Sequence, residues 1–326
     1  MLLSAFLMLV ALALIIKGGD LFVSASVRIA EFLRLPRVVI GSTLVSLTTT
    51  SPELVVSVVS GLKNEPGLAV GNAVGSCICN IGLILGTMAL LKHVEVHVPT
   101  LKVPFTAMVV AGVLLLAMTL DLHLSRLQGL ILVFLGAVYF VIDFIRHERD
   151  TAPADIAEAT ALEEEVVQGH PWLHTQSGTA LQFACGAALV LFGSWLLVKA
   201  AVQIATSLGV PPIFIGLTIV AVGTSLPEFV TAITSARKNV SDLAVGNILG
   251  ANVANLTLII GAAASLSDLT LSRQTQLFNF PAMLVLMVLL LLTMFSGNQI
   301  SRREGLALLS YYACYIIILV IMTMTG

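Results

Sequence analysis

Charged residues are scarce in this chain. Asp, Glu, Lys and Arg make up 10% of its 326 residues, whereas a soluble domain carries about 25%. The net charge is -2, and no basic arm or aromatic-basic stripe indicates a nucleic-acid partner. Hydrophobic residues reach 58% and the mean hydropathy is +1.03. The composition therefore predicts a polytopic integral membrane protein whose surroundings are the lipid bilayer.

Cysteine is also rare, which argues against a disulfide framework or a thiol-based metal site. The four cysteines lie in apolar segments and form no CxxC pair, so we interpret them as small buried thiols. The first residues, MLLSAFLMLV, lack a basic region and continue apolar beyond a signal-peptide core. We therefore expect a first membrane helix here and not a cleaved signal.

The apolar runs are long enough to cross a membrane repeatedly. A helix needs about 20 mostly apolar residues to span the hydrocarbon layer. Ten segments qualify, and we predict an all-α fold of ten transmembrane helices. They lie near 2–33, 37–60, 67–90, 101–120, 124–146, 176–208, 212–236, 243–266, 276–296 and 303–325.

Basic residues predict the orientation of these spans. With the N-terminus outside, ten basic residues fall in inside loops and three in outside loops, as the positive-inside rule requires. Both termini are therefore expected outside. The one sizeable polar stretch, 147–175, is acidic and is predicted to be a cytoplasmic linker.

The chain contains an internal repeat. Residues 41–86 align with 216–261 without a gap, and 20 of the 46 positions are identical. Five predicted spans separate the two copies, so the second copy is expected to be inverted. We predict two five-helix halves, 1–146 and 176–326, because inverted repeats with broken helices near the midplane are typical of secondary transporters.

Each copy contains a proline followed by a glutamate inside an apolar run, TTTSPE at 48–53 and GTSLPE at 223–228. A proline within a helix removes one backbone hydrogen bond, and this would free carbonyls near Thr48 and Gly223. Hydroxyls accompany each break. The side chains concerned are Thr49, Thr50 and Glu53 in the first copy, and Thr224, Ser225 and Glu228 in the second.

These groups form an all-oxygen ligand set, which suits a hard cation such as Ca²⁺. No histidine lies near them, which disfavours softer metals. We interpret Glu53 and Glu228 as the only carboxylates deep in well-defined spans. An acid within a membrane costs at least a few kcal/mol unless it is paired, and a bound cation or a proton would offset that cost.

A second motif follows in each copy, GNAVGSCICN at 71–80 and GNILGANVAN at 246–255. Helical spacing puts Ser76 and Asn80 on one face. Ala251 and Asn255 occupy the same places in the second copy. We expect the two asparagines to act as ligands or gates, with interhelical hydrogen bonding as the alternative.

Together these motifs resemble the α-repeats of the sodium/calcium exchanger family within the cation/calcium antiporter superfamily. A compact, prokaryotic-type member in a plasma (inner) membrane is implied, as is exchange of roughly three Na⁺ for one Ca²⁺. The resemblance implies no resident cofactor and no obligatory protein partner. It makes Glu53 and Glu228 shared acidic ligands, adds the oxygens of Thr49, Thr50, Ser76, Thr224 and Ser225, and completes the site with the carbonyls of Ser46 and Ala221. The first and sixth spans would slide across the others.

Three departures from the family pattern bear on Na⁺. The first motif has Thr48 where glycine is usual and Ser51 where leucine or alanine is usual. Ala251 replaces a ligand serine, and Asn255 stands where some relatives carry aspartate. The two remaining carboxylates would balance one Ca²⁺ but not three Na⁺.

Three other functions remain as alternatives. H⁺/Ca²⁺ exchange would use the same fold with proton-carrying glutamates. An intramembrane hydrolase would need one carboxyl of raised pKa and a water between the two acids, but it would not need duplicated broken helices. A channel would show flux that neither saturates nor requires a counter-ion. The sequence thus favours a Na⁺/Ca²⁺ antiporter that is not an enzyme.

Overall fold

The computed structural model describes residues 2–63, 65–95, 98–147, 172, 175–209, 221–295 and 299–325. Nearly all of the predicted linker lies outside these residues. The first five residues of the second copy of the repeat, 216–220, also lie outside them. Within the described residues the fold is almost wholly helical, as predicted.

The first half of the chain contains long helices interrupted by short π-helical segments. Its helices are Leu2–Leu33, Arg37–Ile40, Ser46–Thr49, Ser51–Leu62, Pro66–Cys79, Gly86–Leu91, Val98–Met118 and Arg126–His147. The π-helical segments are Gly41–Val45 and Asn80–Leu85. Strands β1 (Val94–Glu95) and β2 (His123–Leu124) lie between the later helices.

The described residues of the second half largely follow this order, with one additional π-helical segment at Thr275–Asn279. Its helices are Gln176–Ser207, Ala221–Thr224, Leu226–Arg237, Ser241–Ala254, Ile260–Leu266, Phe280–Phe295 and Arg302–Thr325, its π-helical segments are Asn255–Ile259 and Thr275–Asn279, and its strands are β3 (Leu269–Thr270) and β4 (Gln299–Ile300). The alignment that places 41–86 on 216–261 also places Ser51–Leu62 on Leu226–Arg237 at both ends, and its continuation places β1 on β3. The repeat seen in the sequence thus extends to the boundaries of the helices.

Eight described helices are long and apolar enough to cross a membrane. A ninth candidate is the pair Arg37–Thr49 and Ser51–Leu62, which is bent by 46°. These nine match nine of the ten predicted spans. The remaining one, 212–236, begins among residues outside the described ranges, so the count of ten and the inverted orientation stay predictions.

The chain forms two compact units. The first unit contains Met1–Thr49 and Ile142–Asn247, and the second contains Thr50–Val141 and Ile248–Gly326. Each unit therefore draws segments from both predicted halves.

Two 32-residue helices, Leu2–Leu33 and Gln176–Ser207, pack side by side in the first unit. Glycines permit the close approach: a Cβ on Gly186 would lie 2.5 Å from the Phe22 nitrogen. Gly246 is just as confined, since a Cβ there would lie 2.2 Å from the Val38 carbonyl oxygen. Small residues at helix contacts are typical of membrane bundles, and a larger side chain at either position would force the backbones apart.

Four short strands in the second unit depart from the all-α prediction. β1 pairs antiparallel with β4, and β2 pairs antiparallel with β3. Each pair joins a strand of one half to a strand of the other. Two-residue strands carry no alternating pattern that sequence could reveal, and their pairing satisfies backbone groups where helices end.

Candidate functional site

The helices break at the two repeated motifs, as the sequence predicts. One helix ends at Thr49 and the next begins at Ser51, with Thr50 between them at φ -80° and ψ 5°. In the second copy, Ser225 separates Ala221–Thr224 from Leu226–Arg237 at φ -87° and ψ 10°. Each proline lies in the first turn of the new helix, where its missing N–H is not needed. The predicted release of carbonyls near Thr48 and Gly223 stays a prediction.

The glutamates occupy the first turn of the new helices. Thr50-Ser-Pro-Glu53 and Ser225-Leu-Pro-Glu228 both match the capping-box pattern, in which the first and last side chains cap the helix. Neither Thr50 nor Ser225 makes a side-chain capping hydrogen bond. The hydroxyl half of a capping box is therefore not formed at either break.

In the first unit, Glu228 is completely buried. Neither of its carboxylate oxygens has a hydrogen-bond partner among the described residues. The Thr49 side chain approaches the carboxyl without a hydrogen bond of normal geometry. Burying a charge without a partner is costly, so this carboxyl requires either a cation or a proton.

Thr49 connects two further polar residues of the first unit. Its hydroxyl donates to Asn247 Oδ1 at 3.2 Å and lies 3.4 Å from the Ser46 carbonyl oxygen. Ser225 is buried and Thr224 is half-buried. Ala221 begins the short helix before the break. The first unit thus contains Ser46, Thr49, Ala221, Thr224, Ser225 and Glu228 of the predicted ligands.

In the second unit, Glu53 is also completely buried. The Ser76 hydroxyl donates to Glu53 Oε1 at 3.4 Å. Asn72 holds the backbone of this segment, since its Nδ2 donates to the Glu53 carbonyl at 3.2 Å and to Ser57 Oγ at 3.0 Å. The predicted ligand pair Glu53 and Ser76 is therefore in contact, and Thr50 is buried at the start of the same helix.

The second unit also contains buried asparagine side chains. Asn80 Nδ2 donates to Asn252 Oδ1 at 3.0 Å, and Asn252 Nδ2 lies 3.4 Å from Met108 Sδ. Asn80 Oδ1 and both polar side-chain atoms of Asn255 have no hydrogen-bond partner among the described residues. Within the described residues Asn255 therefore makes no interhelical hydrogen bond, whereas Asn80 makes one to Asn252. The role of the two asparagines as ligands or gates stays a prediction.

Four further polar residues were given no role from sequence. Asn72 and Asn247 are equivalent in the repeat, which was a usable signal. The equivalent of Asn252 is Cys77, so the repeat gave no signal for Asn252. The expectation that Glu53 and Glu228 are the only carboxylates deep in well-defined spans stays a prediction, but Asp143 is buried as well, with 1% exposure. Its place near the end of a span had concealed it.

No three His, Cys, Asp or Glu side chains cluster as a metal site in the part of the chain that the structure describes. Any cation bound here would therefore take most of its ligands from hydroxyl, amide and backbone oxygens. Such ligands suit hard cations.

Known proteins are similar in sequence to this chain along most or almost all of its length. The sodium/calcium exchanger protein family matches residues 3–145 and 178–321. The sodium/calcium exchanger MaX1 of Methanosarcina acetivorans is 29% identical over 96% of this chain and 97% of its own length. The inner membrane protein YrbG of Escherichia coli is 34% identical over 81% and 80%.

A solved structure shares the fold. The sodium-calcium exchanger NCX_Mj, soaked with 2.5 mM Na⁺ and 0.1 mM Ca²⁺, superposes with a TM-score of 0.82. It is 27% identical, and the match covers 97% of this chain and 98% of that one. The family match and these relatives show that the chain is an integral membrane protein and a member of the sodium/calcium exchanger family of antiporters.

Proposed function

We propose that this protein exchanges Na⁺ for Ca²⁺ across a prokaryotic plasma (inner) membrane. Both termini would face outside, and Glu53 and Glu228 would serve one shared site that opens to each side in turn. The named relatives support these two ions as substrates. The proposal includes no resident cofactor and no obligatory protein partner.

The observation that carries the proposal is the environment of Glu228. This carboxyl is fully buried at a helix break and accepts no hydrogen bond from the described residues. A permanent lysine or arginine partner would neutralise it for good, whereas an exchanger needs a charge that mobile cations neutralise in turn. Glu53 occupies the equivalent break and is equally buried.

Each predicted ligand would have a simple role. The two carboxylates would supply the negative charge that balances Ca²⁺. The hydroxyls of Thr49, Thr50, Ser76, Thr224 and Ser225 would supply neutral oxygens, with the carbonyls of Ser46 and Ala221 and the amides of Asn80 and Asn255. Ca²⁺ takes 6–8 oxygens at about 2.3–2.6 Å, and this set is large enough. Movement of the two long helices would expose the site alternately.

H⁺/Ca²⁺ exchange on the same fold is the second candidate. The position equivalent to Ser76 is Ala251, which is completely buried and has no oxygen to offer. The absence of this oxygen ligand weakens a Na⁺ site more than it affects a carboxyl that carries a proton. The choice between the two therefore depends on which ion competes with Ca²⁺.

Ion-dependent stability tests the proposal on the purified protein. Because a ligand that binds the folded state stabilises it, Ca²⁺ should raise the thermal unfolding midpoint, and Na⁺ should do the same at higher concentration. Glu228→Gln should abolish the Ca²⁺ effect, whereas Asp268→Asn, at an exposed loop, should retain it. A Glu228→Gln protein with a normal Ca²⁺ response would contradict the site, and a Na⁺ effect no larger than that of choline would favour H⁺.

A further inference from the structure

Asp143 is a buried carboxylate that the proposed ligand set does not use. It lies near the end of the helix Arg126–His147 and is 1% exposed. Its Oδ2 atom accepts a hydrogen bond from the Ser42 hydroxyl at 2.6 Å. This distance is at the short end of the range for O–H···O hydrogen bonds, so Asp143 holds Ser42 in place.

Ser42 belongs to the π-helical segment Gly41–Val45, which directly precedes the first broken helix. The Ser46 hydroxyl donates to the Ser42 carbonyl oxygen at 2.7 Å. The Thr49 hydroxyl in turn lies 3.4 Å from the Ser46 carbonyl oxygen. Two hydrogen bonds and one 3.4 Å contact therefore connect Asp143 through Ser42 and Ser46 to Thr49. Ser46 and Thr49 are predicted ligands.

The repeat gives an independent reason to treat these residues as one set. In the alignment of 41–86 with 216–261, Leu217 and Ala221 stand opposite Ser42 and Ser46. Matching the helices Arg126–His147 and Arg302–Thr325 from their first residues makes Leu319 the equivalent of Asp143. The first half thus has a polar residue at all three positions, and the second half has an apolar residue at each equivalent position. Simple helix packing would not require the three to change together.

We propose that Asp143 is a positioning residue of the ion site, acting through Ser42. The inference depends on the proposed exchange function. By fixing the π-helical segment, the carboxylate sets where the Ser46 carbonyl and the Thr49 hydroxyl lie, and hence how well they bind a cation. π-helical segments within α-helices frequently occur at functional sites. The equivalent residues of the second half are apolar, so their side chains cannot form this hydrogen bond.

The test measures Ca²⁺ affinity separately from the amount of active protein. The full chain is reconstituted in Na⁺-loaded vesicles, and uptake of radioactive Ca²⁺ is measured against external Ca²⁺. Asp143→Leu copies the residue of the second half. We expect it to raise the Ca²⁺ concentration for half-maximal uptake by up to about tenfold, the order expected for the loss of one buried hydrogen bond. Asp143→Asn, which keeps an acceptor oxygen, should recover part of this loss.

Two further variants address folding and specificity. Ser42→Ala removes the same bond from its other end with a minimal change of volume. It should raise the half-saturating Ca²⁺ concentration similarly, and combining it with Asp143→Leu should add little, because residues that act through one contact are not additive. Ser26→Ala and Asp242→Asn are matched controls in the same unit. Ser26 bonds the Phe22 carbonyl and Asp242 pairs with Arg37, and neither should change half-saturation.

The outcomes separate this inference from the function beneath it. A wild-type protein that takes up no Ca²⁺ under either a Na⁺ or a pH gradient would overturn both. Wild-type exchange with unchanged half-saturation in Asp143→Leu and Ser42→Ala would overturn only the role of Asp143. Lower maximal uptake alone, with half-saturation unmoved, would likewise show that Asp143 is merely structural.

Discussion

The Ser76 hydroxyl lies 3.4 Å from the Oε1 atom of Glu53, on a different helix and 23 residues later in the chain. The contact joins the two motifs of the first copy, TTTSPE at 48–53 and GNAVGSCICN at 71–80. It unites a carboxylate and a hydroxyl that were predicted separately as ligands. A neutral hydroxyl beside a buried carboxylate can point its hydrogen at the acid or its lone pair at a cation. Such a pair can accommodate both the empty and the loaded site.

We expect Ser76→Ala to weaken Ca²⁺ uptake by less than Glu53→Gln, because it removes one neutral oxygen and not a charge. Glu53→Gln should abolish uptake while the protein stays extractable and folded. The two changes should be strongly non-additive, since the residues are in contact. Uptake curves of the two single variants and the double variant measure this coupling. Wild-type flux in Glu53→Gln would reject its assignment as a ligand.

Glu228→Gln should lose transport and gain stability. The glutamate is buried with no hydrogen bond from the described residues, and leaving such a group unsatisfied costs about 1–3 kcal/mol, more when it is charged. Removing the charge should therefore raise the unfolding midpoint in ion-free buffer. Thermal unfolding with and without Ca²⁺ tests both halves of the expectation. A lower midpoint in ion-free buffer would mean that the carboxyl makes a stabilising contact.

Ala251→Ser should raise the apparent affinity for Na⁺. It restores, in the second motif, the hydroxyl that Ser76 provides in the first, at a position with no solvent exposure. Na⁺ inhibition of Ca²⁺ uptake is the measurement. Ala244→Ser, two turns earlier on the same buried face, serves as control. If both variants show the wild-type Na⁺ dependence, another oxygen already fills this place or Na⁺ does not use it.

Gly246→Ala should destabilise the protein by about 1–3 kcal/mol or more, the range for overpacking a dense interior. The added methyl would meet the Val38 carbonyl oxygen, and backbone cannot move aside as a side chain can. The unfolding midpoint in detergent measures the loss. Ala244→Ser adds one atom to the same helix and should cost much less. Equal midpoints for the two variants would show that the helices separate easily here.

The sequence predicted those parts of the site that depend on local rules. Pro52 and Pro227 required a break, and the breaks occur close before them, at Thr50 and Ser225. The recurrence of the motifs drew attention to Glu53 and Glu228 and to the hydroxyls that precede each proline. The sequence did not reveal contacts between distant segments. Asp143 bonds a serine 101 residues away and Thr49 bonds an asparagine 198 residues away.

Local backbone exceptions were also hidden. The π-helical segments Gly41–Val45 and Asn80–Leu85 lie inside apolar runs that read as ordinary α-helix. A π-helical turn contains one extra residue. In a run that is apolar on most faces, this residue causes no recognisable change in the hydrophobic pattern. The paired two-residue strands were missed for a similar reason, since they are too short to show alternation. Tertiary packing determines both features.

The central claim is Na⁺-driven Ca²⁺ transport, and one measurement tests it most directly. Proteoliposomes loaded with Na⁺ are diluted into Na⁺-free buffer containing radioactive Ca²⁺, beside vesicles that carry only a pH gradient. The Na⁺ gradient should drive uptake that saturates with Ca²⁺ and disappears in Glu53→Gln and Glu228→Gln, while the pH gradient alone should drive none. Uptake driven only by the pH gradient would contradict the claim and make the two glutamates proton carriers.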